Sequence, residues 1–519
     1  MPKAALSSLS GRTFDVAAIG AGINGCSAAQ QLAARGYSVL LVDKGDFASA
    51  SSSRSTRLIH CGLRYLAPGG SMWDLVLSPK KLTTALRMTR QAMVARSEFV
   101  ATSAARTRTV KFGFPLYRDG IHKPWQLDLA FKVLNALGPT DPPLDYKRLS
   151  AAEARQVPMY ARLHDQDKLL GVAMFREYQF DWAERVGMDM AMDAQRMGAV
   201  VRNYTSVTGL VRQGDGYAVT LADALDNAQT PITVNAKTIL NTAGIWIDKV
   251  NGLTGQKVGR RIFGTKGAHI VLRLPEGFQD YGVISLNREG TEPVYLVPWR
   301  QGLHYMGVTE TVYEGDIDDI KADDVDIDWL LREFNHLLPG LNKTRADVLY
   351  SWAGVRPLTY DPAFPKGARL RLTHDLSQEG LPGVFAMTAG PVTTHRSGGI
   401  ELADRIAGCI KPSGTPQTID YSPRKFPDHP SSPALLNHYP DIKLSDLRHA
   451  AETEQPANLV DLMFARVGAG WTETQGREAA RKAAETVADI MGWDEARIAK
   501  EADAYVAYLA HRHRRPSAA

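Results

Sequence analysis

The chain is poor in anything that could staple it covalently or anchor it in lipid. Of its 519 residues only 3 are cysteines. Cys26, Cys61 and Cys409 are odd in number and far apart. That excludes a C-x-x-C pair, a disulfide framework and a cysteine-built zinc site, and it fits a reducing compartment. No run approaches about 18 uninterrupted apolar residues, so no transmembrane helix is expected. The first residues, MPKAALSSLSGRT, lack the apolar core of a secretory signal, and Ala4–Arg12 reads as a loose leader. The formal net charge is only +5, and without a clustered basic motif it gives no reason to expect nucleic acid. No cluster with metal-ligand spacing and no internal repeat is present. What is abundant is apolar residue content, 44% of a long chain, enough for two or three domains around a substantial core.

The run FDVAAIGAGINGCSAAQQLAARGYSVLLVDKGD places Gly20, Gly22 and Gly25 between two apolar runs, followed by Asp43. A strand is expected at Val16–Ile19, a helix at Ile23–Ala34 ended by Gly36, and a second strand at Ser38–Val42. In that context the glycines make a tight turn, let backbone approach a pyrophosphate, and let helix pack on strand. The helix start adds partial positive charge, and an acid about 20 residues on suits a ribose. A dinucleotide site is therefore expected.

A Ser-rich stretch, Phe47–Leu66, follows one loop later, interrupted by Arg54, Arg57, His60 and Arg64. Low-complexity serine often makes a linker, but here hydroxyls and amides are placed to donate to the same ligand. Between Lys80 and Lys132, 11 Lys/Arg stand against 3 acids, with helical apolar spacing. That pattern reads either as a solvated basic face or as a basic, apolar-tipped surface for anionic lipid head groups. From Ala199 to Ile247 the pattern is β, ending in NTAG at Gly244, and further strands are expected at Ala268–Leu272, Val294–Val297 and Leu303–Val308. A helix is expected near Trp329–Leu338, a buried strand at Val384–Met387, and a polar-faced helical bundle over Leu459–Ala510.

Taken in order, these segments resemble the FAD-dependent glycerol-3-phosphate dehydrogenases, flavoproteins of the glutathione-reductase and D-amino-acid-oxidase type. The resemblance runs through the first glycine turn, SSSRSTRLIHCGLRYL, NTAGIWID, KGAHIVL, SWAGVRPL, AGPVTTHR and the C-terminal LVDLMFARVGAGW and IMGWDEARIAKE. It implies an α/β fold with a Rossmann-like FAD-binding domain interleaved with a mixed-sheet substrate domain, plus a C-terminal helical cap. The expected divisions are 13–95, 190–265 and 353–410 for FAD, 96–189 and 266–352 for substrate, a linker at 411–433, and the cap at 434–519.

The resemblance further implies oxidation of a small polyol phosphate, most simply sn-glycerol 3-phosphate, with electrons passed to a quinone. It places the protein in the cytoplasm, peripheral on the cytoplasmic face of the inner membrane, and leaves a homodimer open. His269 is the expected base and Arg356 the cation beside the developing charge. Arg64 and Tyr65 are expected at the substrate anion. The expected cofactor contacts are Gly20, Gly22, Asn24, Gly25, Asp43, Lys44, Ser52, Ser53, Arg57, Leu58, His60, Val207, Thr242, Gly244, Gly390, Val392 and Thr393, with Thr394 at the closing helix start.

One departure bears on the substrate. The closing motif of the family reads GGKLTTYR, and here Pro391 replaces the lysine and His395 the tyrosine. Proline brings neither charge nor N–H. Lys266, Arg300 and Arg396 are the candidate replacement cations, Arg396 being carried forward as a substrate contact. A same-fold enzyme for a tetritol phosphate or a non-phosphorylated hydroxy or amino compound therefore stays open. So do an oxidase and a catalytically idle flavin-binding subunit.

Overall fold

The computed structural model describes residues 3–66, 78–363 and 367–516. Parts of two expected domains, the FAD-binding domain (67–77 and 364–366) and the cap (517–519), lie outside the described residues. Two large sheets organise the chain. The first runs Leu372–Asp375, Val384–Thr388, Ile232–Asn241, Thr13–Ile19, Val39–Val42, Val200–Arg202, with Thr205–Gln213 and Gly216–Asp223 attached as a hairpin. Thr13–Ile19 lies between Ile232–Asn241 and Val39–Val42, parallel to both.

Both faces of this sheet are covered, which is why its central strands read as continuous apolar runs. Val16 and Ala18 pack under the helices Ile23–Ala34, Ala183–Arg196 and His395–Ala407. Phe14, Ala17 and Ile19 face the opposite side with Leu40, Val234 and Ile239. That second face also buries Leu6 and Leu9, and Gly11 N donates to Thr233 O at 2.8 Å. The expected loose leader is thus packed down by its two leucines.

The second sheet has 10 strands. Its path is Thr311–Val312, Ile262–Arg273, Leu303–Gly307, Pro293–Pro298, Tyr281–Leu286, Thr107–Tyr117, Leu169–Phe180, Leu58–Ile59. Val348–Thr359 pairs with Ile262–Arg273 from outside that path. The helix expected at Trp329–Leu338 begins earlier, at Asp324–Leu337, because Asp323 caps it by accepting from Asp326 N.

The divisions expected from sequence cut through elements. That at 189/190 falls inside the helix Ala183–Arg196, and those at 265/266 and 352/353 fall inside Ile262–Arg273 and Val348–Thr359. The helix Ala183–Arg196 belongs by its packing with the first sheet, against Ile23–Ala34.

The segment 411–433 carries no helix or strand, but it is docked rather than free. Gly414 N donates to Gly36 O at 2.8 Å, Gln417 N to Ala34 O at 2.7 Å, and Gln31 to the Tyr421 hydroxyl at 2.7 Å. The C-terminal part opens with a hairpin, Ala434–Leu436 and Tyr439–Lys443, before the helices Leu444–Thr453, Ala480–Met491 and Glu495–Arg512. It shares one core with the second sheet, where Phe464, Trp471 and Leu509 join Trp299, Tyr350 and Trp352. Buried ion pairs, Arg466 with Asp46 and Arg185 with Glu454 at 2.6 Å, bind it to the first sheet.

Candidate active site

A cavity of about 1570 Å³ lies where the two sheets meet, and its wall begins at the glycine turn. Gly20 has φ +100°, and a Cβ there would lie 2.7 Å from Ala243 Cα. Gly25 sits beneath the turn, where a Cβ would be 1.9 Å from Gly20 O. It therefore supports the turn and does not line the cavity, against expectation. Ser52 Oγ accepts from Ile23 N at 3.0 Å and satisfies one orphan amide of the helix start. The other turns are wired to the first. Thr242 Oγ1 donates to Gly20 O at 2.8 Å and Asn24 Nδ2 to Gly390 O at 2.9 Å.

Asp43 accepts from Ala21 N at 2.6 Å and Gly45 N at 2.8 Å, so its carboxylate also holds the turn in shape. Burial raises its pKa to about 6 against those two hydrogen bonds. Lys44 lies over the Trp246 ring and pairs with Asp318. Gly22, Leu58, His60, Val207, Gly244, Val392 and Thr393 also line the cavity.

Three expected contacts go elsewhere. Ser53 Oγ donates to Ser49 O and Ala50 O and does not line the cavity. Arg57 lines the wall, yet its guanidinium donates to Ser53 O, lies 3.4 Å from Glu184 and covers Trp471 at 4.1 Å. Thr394 lies off the cavity and accepts from Arg371.

The second sheet forms the floor. On the strand Ile262–Arg273, alternation sends Gly267 and His269 to the cavity and Lys266 to the other face. Lys266 bridges Asp323 at 2.6 Å and Asp326 at 2.7 Å. His269 stacks on Trp352 at 4.8 Å, and its Nε2 lies 3.1 Å from Thr56 Oγ1. Its Nδ1 has no partner among the described residues. Burial first, then Arg356 and Arg57, hold the imidazole pKa well below its usual value, so the ring is neutral at pH 7.

Arg356 lines the same floor and donates to Thr309 O at 3.2 Å, while its Nη1 is unpaired among the described residues. Burial lowers its pKa to about 10, so it stays cationic at pH 7. Arg64 and Tyr65 face the cavity beside Tyr295. Arg64 makes no ion pair among the described residues, and neighbouring Tyr295 raises its pKa.

None of the three replacement cations reaches the cavity. Arg396 projects from its helix toward Pro79–Ser103, donating to Thr102 Oγ1 at 2.8 Å and Ser103 Oγ at 3.1 Å beneath Tyr421. Arg300 donates to Gly468 O at 3.1 Å and pairs with Asp181 at 3.2 Å. A different cation, Arg369, lines the cavity and pairs with Glu310. It stands in an irregular loop with no motif around it, so no sequence signal marked it.

The family model described as FAD dependent oxidoreductase matches residues 15–405. The chain belongs to that family. This FAD-dependent oxidoreductase is 31% identical over 415 residues to a glycerol-3-phosphate dehydrogenase of Synechocystis sp., covering 78% of this chain and 71% of that protein. It is 27% identical over 428 residues to the aerobic glycerol-3-phosphate dehydrogenase of Bacillus subtilis, 82% and 72% of the two chains. Its fold matches the Bacillus halodurans glycerol-3-phosphate dehydrogenase complexed with FAD at TM-score 0.73 and 20% identity, over 98% and 96% of the two chains. The L-alpha-glycerophosphate oxidase of Mycoplasma pneumoniae, also with FAD bound, matches at TM-score 0.59 and 17% identity over 80% and 100%.

FAD fits what the residues offer. Gly20 and Gly25 leave no room for a Cβ, the helix start is free of acidic side chains, and Asn24 Oδ1 is buried without a partner among the described residues.

Proposed function

We propose that this oxidoreductase converts sn-glycerol 3-phosphate to dihydroxyacetone phosphate and passes the electrons to a quinone. The observation that carries the reading is a convergence on one cavity. A neutral buried imidazole (His269), an under-bonded buried guanidinium (Arg356) and an unpaired arginine (Arg64) come from three separate segments to the wall that the glycine turn begins. Bound FAD supplies the two-electron acceptor for the carbinol hydrogen.

In this reading Gly20, Gly22, Asn24 and Ser52 hold the pyrophosphate, and Asp43, Lys44 and Val207 the adenosine. Leu58, His60, Thr242, Gly244, Gly390, Val392 and Thr393 hold the ring end. His269, neutral at pH 7, takes the hydroxyl proton. Arg356 stabilises the negative charge that develops on the substrate oxygen, in a site buried enough for that charge to be felt strongly. Arg64 and Tyr65 hold the phosphate, with Arg369 as the further cation in place of the family lysine. The Synechocystis and Bacillus relatives carry the name of this activity.

A second reading has its own observation. Pro391 faces the cavity without charge, which suits a polyol phosphate other than glycerol phosphate. One experiment addresses both: anaerobic addition of glycerol 3-phosphate, glycerol, a tetritol phosphate and a panel of amino acids, following loss of the visible flavin absorbance. Bleaching by glycerol 3-phosphate at the lowest concentration is expected. Bleaching by no phosphate ester overturns the reading, and peroxide formed in air without added quinone identifies an oxidase instead.

The proposed place of work is an anionic lipid surface. Ile121, Trp125 and Leu129 are 52%, 55% and 46% exposed beside Lys123 and Lys132 on and before the helix Pro124–Leu137. No helix among the described residues is long and apolar enough to cross a membrane. Sedimentation with anionic but not neutral vesicles, lost in Trp125→Glu, is the expected result.

A further inference from the structure

The imidazole of His269 presents almost nothing of itself to the cavity. The residue is 1% exposed, and its Nδ1 is sealed from solvent. One face of the ring lies parallel to Trp352, and Tyr305 stands edge-on to it at 5.9 Å. Gly307 lies against the Cδ2–Nε2 edge. Among the described residues only Nε2 has a hydrogen-bond partner, Thr56 Oγ1 at 3.1 Å. A proton coming from the cavity therefore meets the threonine hydroxyl before the ring.

Thr56 is built into that position. It lines the cavity, half-buried where the imidazole is sealed, and its Oγ1 has no second partner among the described residues. Its main chain is held from both sides. The Tyr305 hydroxyl donates to Thr56 O at 2.7 Å, and Phe180 N donates to Arg57 O at 2.7 Å. Arg57 itself has φ +60°, a conformation uncommon for a residue with a side chain. Its guanidinium is lodged over Trp471 at 4.1 Å and Trp299 at 5.1 Å, which fixes the segment beside the base.

We propose that Thr56 is a catalytic residue whose hydroxyl relays the proton of the substrate alcohol to Nε2 of His269. The proposal rests on the dehydrogenase reading above and supplies the path by which His269 receives the proton. A hydroxyl suits the task because it donates and accepts at the same time. The relay uses the Nδ1–H tautomer, in which Thr56 donates to a lone pair on Nε2. As the carbinol O–H bond breaks, its proton goes to Thr56 Oγ1, and the proton already on Oγ1 goes to Nε2. The carbinol C–H bond breaks as well, its hydrogen and both electrons going to the two-electron acceptor, and a C=O bond forms. Threonine ends as it began, with one proton left on the imidazole. Arg356 and Arg57 are the charged groups that face the ring, and both oppose a lasting positive charge there. That favours return of the proton through the same hydroxyl once the ketone has left.

The test is anaerobic stopped flow on the FAD-loaded protein, with bleaching rates read per bound FAD. Thr56→Val keeps the shape of the side chain and removes the hydroxyl. Bleaching at saturating glycerol 3-phosphate should slow about 10²-fold or more, the scale that acid–base groups supply. The half-saturating concentration should stay within about threefold. Thr56→Ser puts the hydroxyl back and should restore the rate to within about threefold of the parent. Combined with His269→Ala, Thr56→Val should add little to the loss, because the two groups act in series. In the parent, two protons move together, so the bleaching rate plotted against the deuterium fraction of the solvent should bow below a straight line. A valine variant that bleaches within about threefold of the parent overturns the proposal. A serine variant as slow as the valine one, additive losses in the double variant, or a straight deuterium plot overturns it too. A parent protein that glycerol 3-phosphate does not bleach overturns the dehydrogenase reading instead.

Discussion

The ring of His269 occupies the space where its cross-strand partner Gly307 would carry a side chain. A Cβ on Gly307 would lie 2.1 Å from Cδ2 of the imidazole. Gly267, two residues before His269, does the same for Arg356, whose Nη2 would be 2.5 Å from an added Cβ. Two missing side chains in adjacent strands thus decide where the proposed base and cation stand.

Gly307→Ala should therefore push the imidazole aside while leaving the flavin site intact. A displacement of about 1 Å at a reacting group can cost on the order of a hundredfold. Turnover is expected to fall by that order with FAD content, measured by absorbance per protein, unchanged. Equal loss of both would point to misfolding instead.

The pH profile follows from the two shifts at the site. A base acts only when unprotonated, and burial holds His269 well below the usual imidazole value near 6.5. On the acid side kcat, followed at saturating substrate so that the phosphate ester's own ionisation near pH 6 does not enter, should stay flat through pH 6.5 and decline only further down. On the alkaline side Arg356, lowered to about 10, loses its proton as pH rises through that value, and activity should fall with it. A limb centred at 6.5 would mean that another group supplies the base. In His269→Ala turnover should drop about 10²–10⁴-fold, with FAD retained.

Arg64→Ala removes the guanidinium that has no ion-pair partner among the described residues. Loss of a charge-assisted contact costs about 1.5–3 kcal/mol, roughly 10- to 150-fold in affinity. The half-saturating glycerol 3-phosphate concentration should rise by that factor. The slow bleaching by unphosphorylated glycerol, if measurable in the parent, should not change. A rise for both alcohols would place Arg64 at the carbinol rather than at the phosphate.

Much of this site was legible in the sequence because it is built from local patterns. The glycine turn, its helix Ile23–Ala34 and the period-2 strand through His269 each declare themselves within a dozen residues. What failed was direction. Lys266 is three residues from His269 and so points to the opposite face, and Arg396 follows the cavity-lining turn yet turns with its helix toward Thr102. Arg369 and Tyr295 come from an irregular loop and a strand with no chemical motif, so only the folded chain brings them to the cavity. The shared core of Trp352, Phe464 and Trp471 was hidden for the same reason: long-range packing leaves no local period.

Pro391 offers the sharpest test of substrate identity. It lines the cavity where the resemblance described above leads to the expectation of a lysine, and Lys266, Arg300 and Arg396 all spend their charge elsewhere. Its ring supplies no donor, so Lys at this position adds both a cation and an N–H. If glycerol 3-phosphate is the substrate and Arg369 already completes its anion site, Pro391→Lys should lower the half-saturating concentration by no more than about threefold, since a second cation adds little to a phosphate already paired. If the native substrate is a larger polyol phosphate, the same change should improve glycerol 3-phosphate by about tenfold or more and impair the tetritol ester, because the lysine takes the space that proline leaves open. Measuring kcat/KM for both esters in both proteins separates the two outcomes.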